Sequence, residues 1–395
     1  MKGPADVLVV GASVGGLTVA EALRGRGYTG RIRLVGEEPH PPYDRPPLSK
    51  EVLAGIWPPE RAFLPDRARL DAFIPGHRAV RLDTEARTVQ LDDGRTLSYD
   101  ALVIATGLTP RRLAFQGEPA GVHTLRTLDD ALALRAALKR EARVAVIGAG
   151  VLGCEIAATA RLLGARVTLV DPVPVAMARL IGDELGALVA ALHQRHGVDV
   201  RTGVGVAGLS EDAGHVTAVE LTDGERVAAD LVVVAIGSVP ATGWLTGSGL
   251  TLNDGVECDS HCRAAPGVHA VGDVARWYHR TLGRTIRLEN RTNATQQAVA
   301  VADDILGHGS PYVPIPYFWT DQYDVKLQVH GVIPPGARIR PLDGEPGAGR
   351  FTALAEVDGI PTAAIGWNHP RGVRTARQHV SDALRTASAA GVTGV

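Results

Sequence analysis

The chain has 395 residues, of which 45% are hydrophobic and 21% are charged, and its formal net charge is −2. This length predicts two or three domains, and the near-neutral charge argues against non-specific binding to nucleic acid. Three cysteines in so long a chain do not form a disulfide framework, and no stretch reaches the roughly 18 apolar residues of a membrane helix. Because no secretory signal precedes the first strand, we expect a cytoplasmic protein without a membrane partner.

The chain begins with a predicted β-turn-α-β unit. An apolar run at residues 7–10 predicts a buried parallel strand, and the glycine-rich stretch 11–16 predicts a tight turn. Helical periodicity covers residues 17–26, and a second strand is predicted at residues 31–35. In such a unit the helix begins beside the carboxyl end of the first strand, where nucleotides bind.

The turn of this unit is an imperfect dinucleotide fingerprint. Gly11, Gly15 and Gly16 are present, but Ser13 replaces the middle glycine of the Gly-x-Gly-x-x-Gly pattern. Serine is small, and its hydroxyl can donate a hydrogen bond to a phosphate. Glu37 follows the second strand, where a carboxylate can accept hydrogen bonds from a ribose. The pattern indicates a dinucleotide site.

An apolar strand that ends in a turn of small residues occurs twice. Residues 101–107 end in Thr106 and Gly107, and residues 231–237 end in Gly237. Each copy closes a block of domain size. The repeat indicates that the chain contains two versions of one nucleotide-binding fold.

The second version begins in the middle of the chain. Residues 144–147 predict a buried strand, residues 154–163 a helix and residues 167–170 the next strand. Two such units in one chain suggest two dinucleotides, namely a flavin and a nicotinamide that meet face to face.

The second unit carries the complete fingerprint. Gly148 makes the turn, Gly150 lets the backbone approach a pyrophosphate, and Gly153 lets the helix pack closely on the strand. Asp171 ends the next strand, where its carboxylate can accept hydrogen bonds from a ribose 2′-hydroxyl. A 2′-phosphate would be repelled there, so the sequence favours NAD over NADP.

The pattern changes after about residue 320. Strand-like stretches at residues 325–329 and 352–357 alternate with turns rich in proline and glycine. This part of the chain predicts a small α/β domain of a different kind.

Three motifs resemble those of one flavoenzyme family. The Tyr-Asp-Arg-Pro-Pro-Leu-Ser-Lys run at residues 43–50 is similar to a motif of the FAD-dependent ferredoxin reductases that serve bacterial cytochrome P450 and aromatic-ring dioxygenase systems. These enzymes belong to the pyridine nucleotide-disulfide oxidoreductase superfamily. Residues 271–273 resemble the second FAD motif of the family, and residues 316–323 resemble the entry to its carboxyl-terminal domain.

The resemblance implies a fold and a domain order. We expect an α/β fold with two Rossmann-like dinucleotide-binding domains, arranged as in glutathione reductase, and a small carboxyl-terminal α/β domain. Residues 1–110 and 243–318 would form a discontinuous FAD domain, residues 111–242 the NAD(P)H domain, and residues 319–395 the last domain. The oligomeric state, monomer or homodimer, stays open.

The resemblance also assigns roles to individual residues. Lys50 is expected beside the flavin as a catalytic residue, with Glu155 as its partner. Val80 is expected to contact the adenine through its backbone, and Arg126 and Asp273 are expected to contact FAD. Further cofactor-binding residues are expected at Arg45, Thr106, Gly107, Gly237, Gly272 and Arg291.

One position departs from the family pattern. Arg291 stands where the family usually has tryptophan. The contact expected there is a backbone N–H at a helix amino terminus, which survives the change, whereas the indole is lost. An arginine could bind an anionic partner or change the electron acceptor. Docking charges for an acidic ferredoxin are expected at Arg291, Arg338, Arg340, Arg371 and Arg374.

The sequence therefore predicts an FAD-dependent oxidoreductase that passes electrons from NADH to a [2Fe–2S] ferredoxin, which serves a cytochrome P450 or a ring-hydroxylating oxygenase. Two alternatives stay open. An NADH oxidase-like or pathway-specific flavoenzyme would reduce O₂ or a small molecule, and Arg291 is the feature that favours it. A protein like apoptosis-inducing factor would use its nucleotide-bound state to control association.

The cysteines argue against thiol chemistry. Residues 38–53 contain no cysteine, so the disulfide reductases and the single-cysteine NADH oxidases or peroxidases would lack their nucleophile here. Cys258 and Cys262 lie four residues apart in an apparent strand, where a redox or metal role is the weaker interpretation. We find no cluster of histidine and glutamate in the sequence that would predict a metal site.

Overall fold

The structure is a computed structural model that describes residues 3–65, 67–114 and 119–389. None of the helices in these residues is both long and apolar enough to pass through a bilayer. The helices of the described residues are α1 (Val14–Gly25), α2 (Leu128–Ala137), α3 (Val151–Leu162), α4 (Ala178–Arg195), α5 (Arg291–Ile305) and α6 (Pro370–Ala389).

The first sheet contains the amino-terminal unit. Its central strand runs parallel to both neighbours, with Asp6 beside Arg31 and Val7 beside Ala101. All residues of this strand are buried, as expected when helices cover a parallel sheet. In spatial order the six strands are Arg263–Ala265, Val268–Ala270, Ala101–Ile104, Asp6–Val10, Arg31–Val35 and Ala72–Ile74.

The second sheet repeats this arrangement. Its central strand, Arg143–Ile147, also lies between the strand that follows its helix and the strand that ends in the second small-residue turn. All pairings in this sheet are parallel. In spatial order the five strands are Asp199–Thr202, Arg166–Asp171, Arg143–Ile147, Leu231–Val234 and Val122–His123. The two sheets explain the sequence repeat.

Smaller sheets accompany the two larger ones, and in the described residues their strands pair antiparallel except Val256–Cys258 with Ala275–His279, which pair parallel. Leu108–Pro110 pairs with Ser238–Pro240, so the two segments that follow the small-residue turns lie side by side. The three-stranded sheets consist of Ala79–Asp83, Thr88–Leu91 and Thr96–Ser98; of Val206–Asp212, His215–Leu221 and Arg226–Ala228; and of Val256–Cys258, Ala275–His279 and Arg284–Ile286.

The last sheet is antiparallel and five-stranded. One face packs against α6, where Leu354 and Ala364 meet Val373 and Val380. The other face shares the core of α3 and α4, so this sheet is joined to the second unit. In spatial order its strands are Tyr317–Gln322, Val325–Gly331, Ile360–Trp367, Phe351–Val357 and Arg338–Asp343.

The predicted fold class is confirmed, with two parallel-sheet nucleotide-binding units and a small carboxyl-terminal α/β part. The predicted strands at residues 325–329 and 352–357 lie within strands of the last sheet. Residues 1–2, 66, 115–118 and 390–395 belong to the predicted domains but lie outside the described residues.

Candidate active site

One large cavity is lined by loops that follow strands of both parallel sheets. Its volume is about 1690 Å³, and its wall includes Gly11 and Thr106 from the first unit and Gly150 and Gly237 from the second. Doubly wound sheets bind ligands beyond the carboxyl ends of their strands, which is where these residues lie. A pocket for one small molecule has a volume of about 300–1000 Å³, so this cavity has room for more than one such ligand.

The first glycine-rich turn is shaped by backbone contacts. Gly11 has a φ of +119°, and a Cβ there would lie 2.1 Å from the carbonyl oxygen of Ala105. A Cβ on Gly16 would lie 2.1 Å from the carbonyl oxygen of Gly11, so α1 can approach its strand only with glycine at this position. Ser13 is the N-cap of α1, and its side chain makes no capping hydrogen bond. Ser13 and Gly15 line the cavity.

The second turn has the same geometry. Gly148 has a φ of +106°, and a Cβ there would lie 2.3 Å from the carbonyl oxygen of Ala235. A Cβ on Gly153 would lie 1.8 Å from the carbonyl oxygen of Gly148. Gly150 is the N-cap of α3 and lines the cavity, and a Cβ there would meet no protein atom within 4 Å. A side chain at Gly150 would therefore enter the cavity.

Three predicted cofactor residues are outside the cavity wall. Gly16, Gly148 and Gly153 do not line it, and each is held against a neighbouring backbone carbonyl. Gly16 and Gly153 must be glycine because the helix packs closely on its own turn, and Gly148 because of its positive φ and its contact with Ala235.

Asp171 is also outside the wall, and its predicted contact with a ribose stays a prediction. Its Oδ2 accepts a hydrogen bond from the N–H of Ala149 at 2.6 Å, and its Oδ1 accepts one from the N–H of Val173 at 2.7 Å. The carboxylate therefore braces the glycine-rich turn through charge-assisted hydrogen bonds. Glu37, its counterpart in the first unit, is exposed and lines the cavity.

Arg45 is fixed in the wall by a network that the sequence did not reveal. Its Nη1 donates to the carbonyl oxygen of Arg126 at 2.8 Å and to the hydroxyl of Tyr43 at 3.0 Å, and its Nη2 donates to Glu38 at 3.0 Å. The Tyr43 hydroxyl donates to Glu38 at 2.5 Å and accepts from the N–H of Leu128 at 2.9 Å. Burial raises the pKa of Tyr43, so the tyrosine stays a donor.

A second arginine is incompletely neutralised. Burial lowers the pKa of Arg126 to about 10, and the nearby charge of Arg45 acts in the same direction. Arg126 lies 3.7 Å from Asp273, and burial raises the pKa of that carboxyl group. Because burial outweighs the attraction between these two groups, an anionic group bound here would stabilise the Arg126 cation.

Lys50 and Glu155 meet where the two units join. The Nζ of Lys50 lies 2.8 Å from Oε2 of Glu155, whose side chain is buried. The same oxygen accepts from the Ser49 hydroxyl at 2.5 Å, and Oε1 accepts from the Thr320 hydroxyl at 2.8 Å. Lys50 also lies over the ring of Trp319 at 5.1 Å. The predicted pair is in contact, whereas its catalytic role stays a prediction.

Ser49 and Thr320 were missed by the sequence reasoning. Ser49 precedes Lys50 directly, so its place in the motif at residues 43–50 was the available signal. Thr320 lies in a strand of the last sheet, 165 residues from Glu155 along the chain. No local pattern connects residues so far apart.

The other predicted cofactor residues stand in the same wall. The hydroxyl of Thr106 donates to the carbonyl oxygen of Ala241 at 2.9 Å, which fixes the small-residue turn of the first unit. The N–H of Gly272 donates to Gln297 of α5 at 2.8 Å. The wall also contains Val80, Gly107, Gly237 and Asp273.

Arg291 is the first residue of α5 and lines the cavity. Its Nε donates to Oδ1 of Asp44 at 2.5 Å, so the guanidinium already has a partner within the chain. Asn290 caps the helix by accepting from the N–H of Asn293 at 2.6 Å. The interpretation of Arg291 as a free docking charge is therefore incomplete, because Asp44 offsets part of its charge.

The remaining predicted docking charges lie outside the wall. Arg340 is paired with Glu356 at 2.7 Å, and Arg338 is on the same strand. Arg371 and Arg374 are exposed on α6. A partner that contacts these residues would have to reach beyond the cavity to the carboxyl-terminal sheet.

The thiols do not contribute to the site. Cys154, Cys258 and Cys262 are outside the wall, and burial raises the pKa of each. A raised pKa disfavours the reactive thiolate. Cys262 is not in a strand as expected but has a φ of +63° in a turn, where its sulfur accepts from Gln297.

The structure also groups three possible metal ligands that the sequence did not indicate. The ligand atoms of His77, Asp92 and Asp93 lie within 4.8 Å of one another. Both aspartates are exposed, and such groups are common on surfaces without an ion.

The wall fits two dinucleotides. Each unit presents a helix amino terminus, whose free N–H groups and dipole attract a pyrophosphate. Arg45 and Arg126 add positive charge on the side of the first unit, which suits FAD, and the open space at Gly150 suits NADH on the other side.

Comparison with known proteins agrees with this geometry. The family model for pyridine nucleotide-disulphide oxidoreductases matches residues 5–299, and a reductase C-terminal model matches residues 317–392. The chain is 42% identical to the ferredoxin reductase component of chlorobenzene dioxygenase from Cupriavidus sp. (strain PS12), over 92% of this chain and 90% of that protein. It is 40% identical to the ferredoxin–NAD(+) reductase component of the p-cumate 2,3-dioxygenase system from Pseudomonas putida, over 84% and 83%.

A solved structure is similar over almost the whole chain. The covalent complex of putidaredoxin reductase with putidaredoxin contains a chain with 32% sequence identity and a TM-score of 0.91, and the match covers 99% of both chains. The resemblance drawn from the motifs is confirmed by these matches. The chain therefore belongs to the pyridine nucleotide-disulphide oxidoreductase family.

Proposed function

We propose that this protein is an NADH-dependent ferredoxin reductase with FAD as its cofactor. The observation that carries the proposal is that one cavity is lined by both glycine-rich turns and by the Lys50–Glu155 contact. The proposed reaction is NADH plus two oxidised ferredoxins giving NAD⁺, two reduced ferredoxins and a proton. The names of the relatives, reductase components of dioxygenase systems, support an oxygenase as the final consumer of the electrons. A cytochrome P450 is the other consumer that we propose.

FAD, when bound, supplies the ability to accept two electrons together and to release them one at a time. The protein supplies binding and electrostatics. The amino terminus of α1, together with Arg45 and Arg126, would neutralise the pyrophosphate of FAD. The amino terminus of α3 at Gly150 would do so for NADH.

Lys50 and Glu155 would act at the point where the nucleotides meet. Glu155 holds the ammonium group of Lys50 at 2.8 Å, so the cation cannot swing into solvent. A positive charge fixed in a half-buried site stabilises negative charge that develops beside it more strongly than it would in water. We assign the pair this role in electron transfer from NADH.

The remaining assignments are part of the same proposal. Residues 1–110 and 243–318 form the FAD domain, residues 111–242 the NAD(P)H domain, and residues 319–395 the carboxyl-terminal domain. NADH is the preferred nucleotide, which the names of the relatives support. Asp171 contributes by bracing the turn, and its negative charge at the end of the strand still disfavours a 2′-phosphate.

The acceptor is proposed to be a [2Fe–2S] ferredoxin. The solved complex of putidaredoxin reductase with putidaredoxin supports a protein partner for this fold. Reduction of O₂ or of a small molecule is the second candidate, because Arg291 and Asp44 form an ion pair in the cavity wall. A cytoplasmic location and the oligomeric state stay predictions.

The test uses the purified full-length protein. It should carry FAD and show flavin absorbance, and NADH added without oxygen should bleach that absorbance. A [2Fe–2S] ferredoxin should then raise the rate of cytochrome c reduction. A protein that takes up no FAD, or whose flavin NADH cannot reduce, would disprove the proposal. A cytochrome c rate unchanged by ferredoxin would favour the second candidate.

A further inference from the structure

Glu155 is the end point of a buried chain of hydrogen bonds. The hydroxyl of Thr320 donates to Oε1 of Glu155 at 2.8 Å, and Nε2 of Gln322 donates to that hydroxyl at 3.2 Å. Nε2 of His193 lies 2.9 Å from Oε1 of Gln322, and the hydroxyl of Tyr323 lies 3.3 Å from Nδ1 of His193. Thr320, Gln322 and His193 are each at most 3% exposed, so water does not compete for these bonds.

The direction of each hydrogen bond follows from the chemistry of the groups. The hydroxyl of Thr320 has one hydrogen, which goes to the carboxylate, so Thr320 must accept from Gln322. The amide oxygen of Gln322 can only accept, so Nε2 of His193 must carry a hydrogen. Burial lowers the pKa of His193 to about 4, so the imidazole is neutral and its Nδ1 accepts from Tyr323.

Every hydrogen bond in this series, from Tyr323 to Thr320, is therefore donated toward Glu155. Hydrogen bonds aligned in one direction polarise one another, which strengthens each of them in a buried setting. Such an alignment stabilises negative charge on the carboxylate at its end. Because that carboxylate holds Lys50, the alignment also fixes the position of the ammonium group.

Tyr323, at the end of the hydrogen-bond series farthest from Glu155, is held in place by its own contacts. Tyr323 lies in the turn between strands Tyr317–Gln322 and Val325–Gly331, with a φ of +55° that non-glycine residues seldom adopt. Its ring stacks on His196 with centroids 3.7 Å apart and planes 9° apart. Burial raises the pKa of Tyr323, so its hydroxyl keeps the hydrogen that it donates.

We propose that Thr320, Gln322 and His193 are positioning residues, which connect α4 and the carboxyl-terminal sheet to the reacting centre by holding Glu155 and, through it, Lys50. The carboxyl-terminal part of the chain thereby has a function in electron transfer from NADH as well as in packing. This inference rests on the proposed function, because it concerns the same pair of residues.

The test separates the hydroxyl of Thr320 from its bulk. Thr320→Val removes the donor and keeps the branched shape, and Thr320→Ser keeps the donor. The rate constant for reduction of the bound flavin by NADH should fall about tenfold in Thr320→Val, as expected for a lost hydrogen bond to a charged group. The Kd for NADH and the FAD content should stay within twofold, because the change affects the reacting centre and not the binding of nucleotide.

Comparison with other variants distinguishes the loss of this series of hydrogen bonds from a general loss of structure. Thr320→Ser should restore most of the rate, and Gln322→Leu, one bond further from Glu155, should lower it less than Thr320→Val does. Thr362→Val is the control, because this threonine is in the same sheet and its hydroxyl donates to the carbonyl oxygen of Ala355. Equal losses in all four variants would contradict the proposal.

A spectroscopic measurement needs no turnover. ¹⁵N-histidine NMR of the holoprotein should show His193 as the neutral tautomer with its hydrogen on Nε2 at neutral pH. Its ¹⁵N shifts should change in Thr320→Val and stay the same in Thr362→Val. A hydrogen on Nδ1 would reverse the donor direction and overturn the inference. If NADH does not reduce the flavin of the wild-type protein, the proposed function fails; if it does and Thr320→Val is unaffected, only this inference fails.

Discussion

The two nucleotide-binding units have the same turn and differ in how they use the acid that follows it. Gly11 and Gly148 have φ values of +119° and +106°. Each lies against a carbonyl oxygen in the small-residue turn of its own unit, that of Ala105 or Ala235. Glu37 faces the cavity, whereas the oxygens of Asp171 are hydrogen-bonded to the backbone beside its own turn. The duplication thus preserved the turn geometry, while the acidic residues took different places.

The other difference lies in what surrounds each turn. The first unit faces two half-buried arginines, Arg45 and Arg126, whose charges are only partly neutralised. The second unit faces open space at Gly150 and the buried carboxylate of Glu155. An anionic cofactor that stays bound suits the first environment, and a nucleotide that comes and goes suits the second. Four predictions test this division.

The largest effect is expected from a bulky side chain placed in each glycine-rich turn separately. Ser13→Leu should leave a protein without FAD, because the side chain would project where the pyrophosphate meets α1. Gly150→Leu should keep FAD and lose reduction by NADH, because the new side chain enters the cavity and meets no protein atom within 4 Å of its Cβ. FAD absorbance and anaerobic NADH titration measure both results.

The control for these variants is Gly25→Leu. Gly25 is exposed near the end of α1, and a Cβ there also meets no atom within 4 Å. It should leave both nucleotides unaffected. Loss of FAD in Gly150→Leu with retention in Ser13→Leu would reverse the assignment of the two units.

The next largest effect is expected at the contact between the units. Lys50→Met should lower the rate of flavin reduction about 100-fold, because a charge positioned at the reacting centre is lost. Lys326→Met is a matched control, since the Nζ of Lys326 also lies over the ring of Trp319, at 5.0 Å from its centroid, but pairs with Asp321 and not with Glu155. Stopped-flow absorbance under nitrogen measures the rates. Similar losses in both variants would show that Lys50 acts only by packing on Trp319.

A smaller effect is expected from the two acids. Asp171→Asn replaces one acceptor oxygen by a donor against a backbone N–H, which should destabilise the fold by about 2 kcal/mol. Glu37→Gln should lower the stability of the FAD-loaded protein by less, because Glu37 is exposed and the change affects only its predicted contact with FAD. Thermal unfolding of the two FAD-loaded variants, followed by circular dichroism, compares them. A lower Tm for Glu37→Gln than for Asp171→Asn would contradict the conclusion that Asp171 supports its turn while Glu37 faces the cavity.

The smallest effect is expected at Arg291. Arg291→Trp removes an ion pair that is partly exposed on both sides, and such pairs contribute about 0–1 kcal/mol, so stability should hardly change. The variant leaves Asp44 unpaired, and the KM for an acidic ferredoxin should rise a few-fold at low salt and less at high salt. Steady-state kinetics at two ionic strengths measure this. A fall in KM would mean that the indole contributes more to docking than the charge does.

The sequence by itself determined the two units, because each depends on contacts between residues close along the chain. A buried strand, a glycine turn and a helix occupy about 20 consecutive residues, and their periodicity and glycine spacing are visible in the letters. The steric reason for Gly16 and Gly153 is equally local, since each packs against the first glycine of its own turn. The fold class followed from this level, and the family followed from the resemblance of the motifs at residues 43–50, 271–273 and 316–323.

Tertiary structure decided which groups surround Glu155 and where the acids point. Thr320, Gln322 and His193 come from the last sheet and from α4, and their hydrogen bonds join residues more than 100 positions apart, except within the sheet itself. Asp171 matches the ribose pattern in the letters, and the folded chain places its two oxygens within hydrogen-bond distance of the backbone N–H groups of Ala149 and Val173. Hydrogen bonds satisfy buried groups with whatever partner lies nearest in space, and only the folded chain sets that distance.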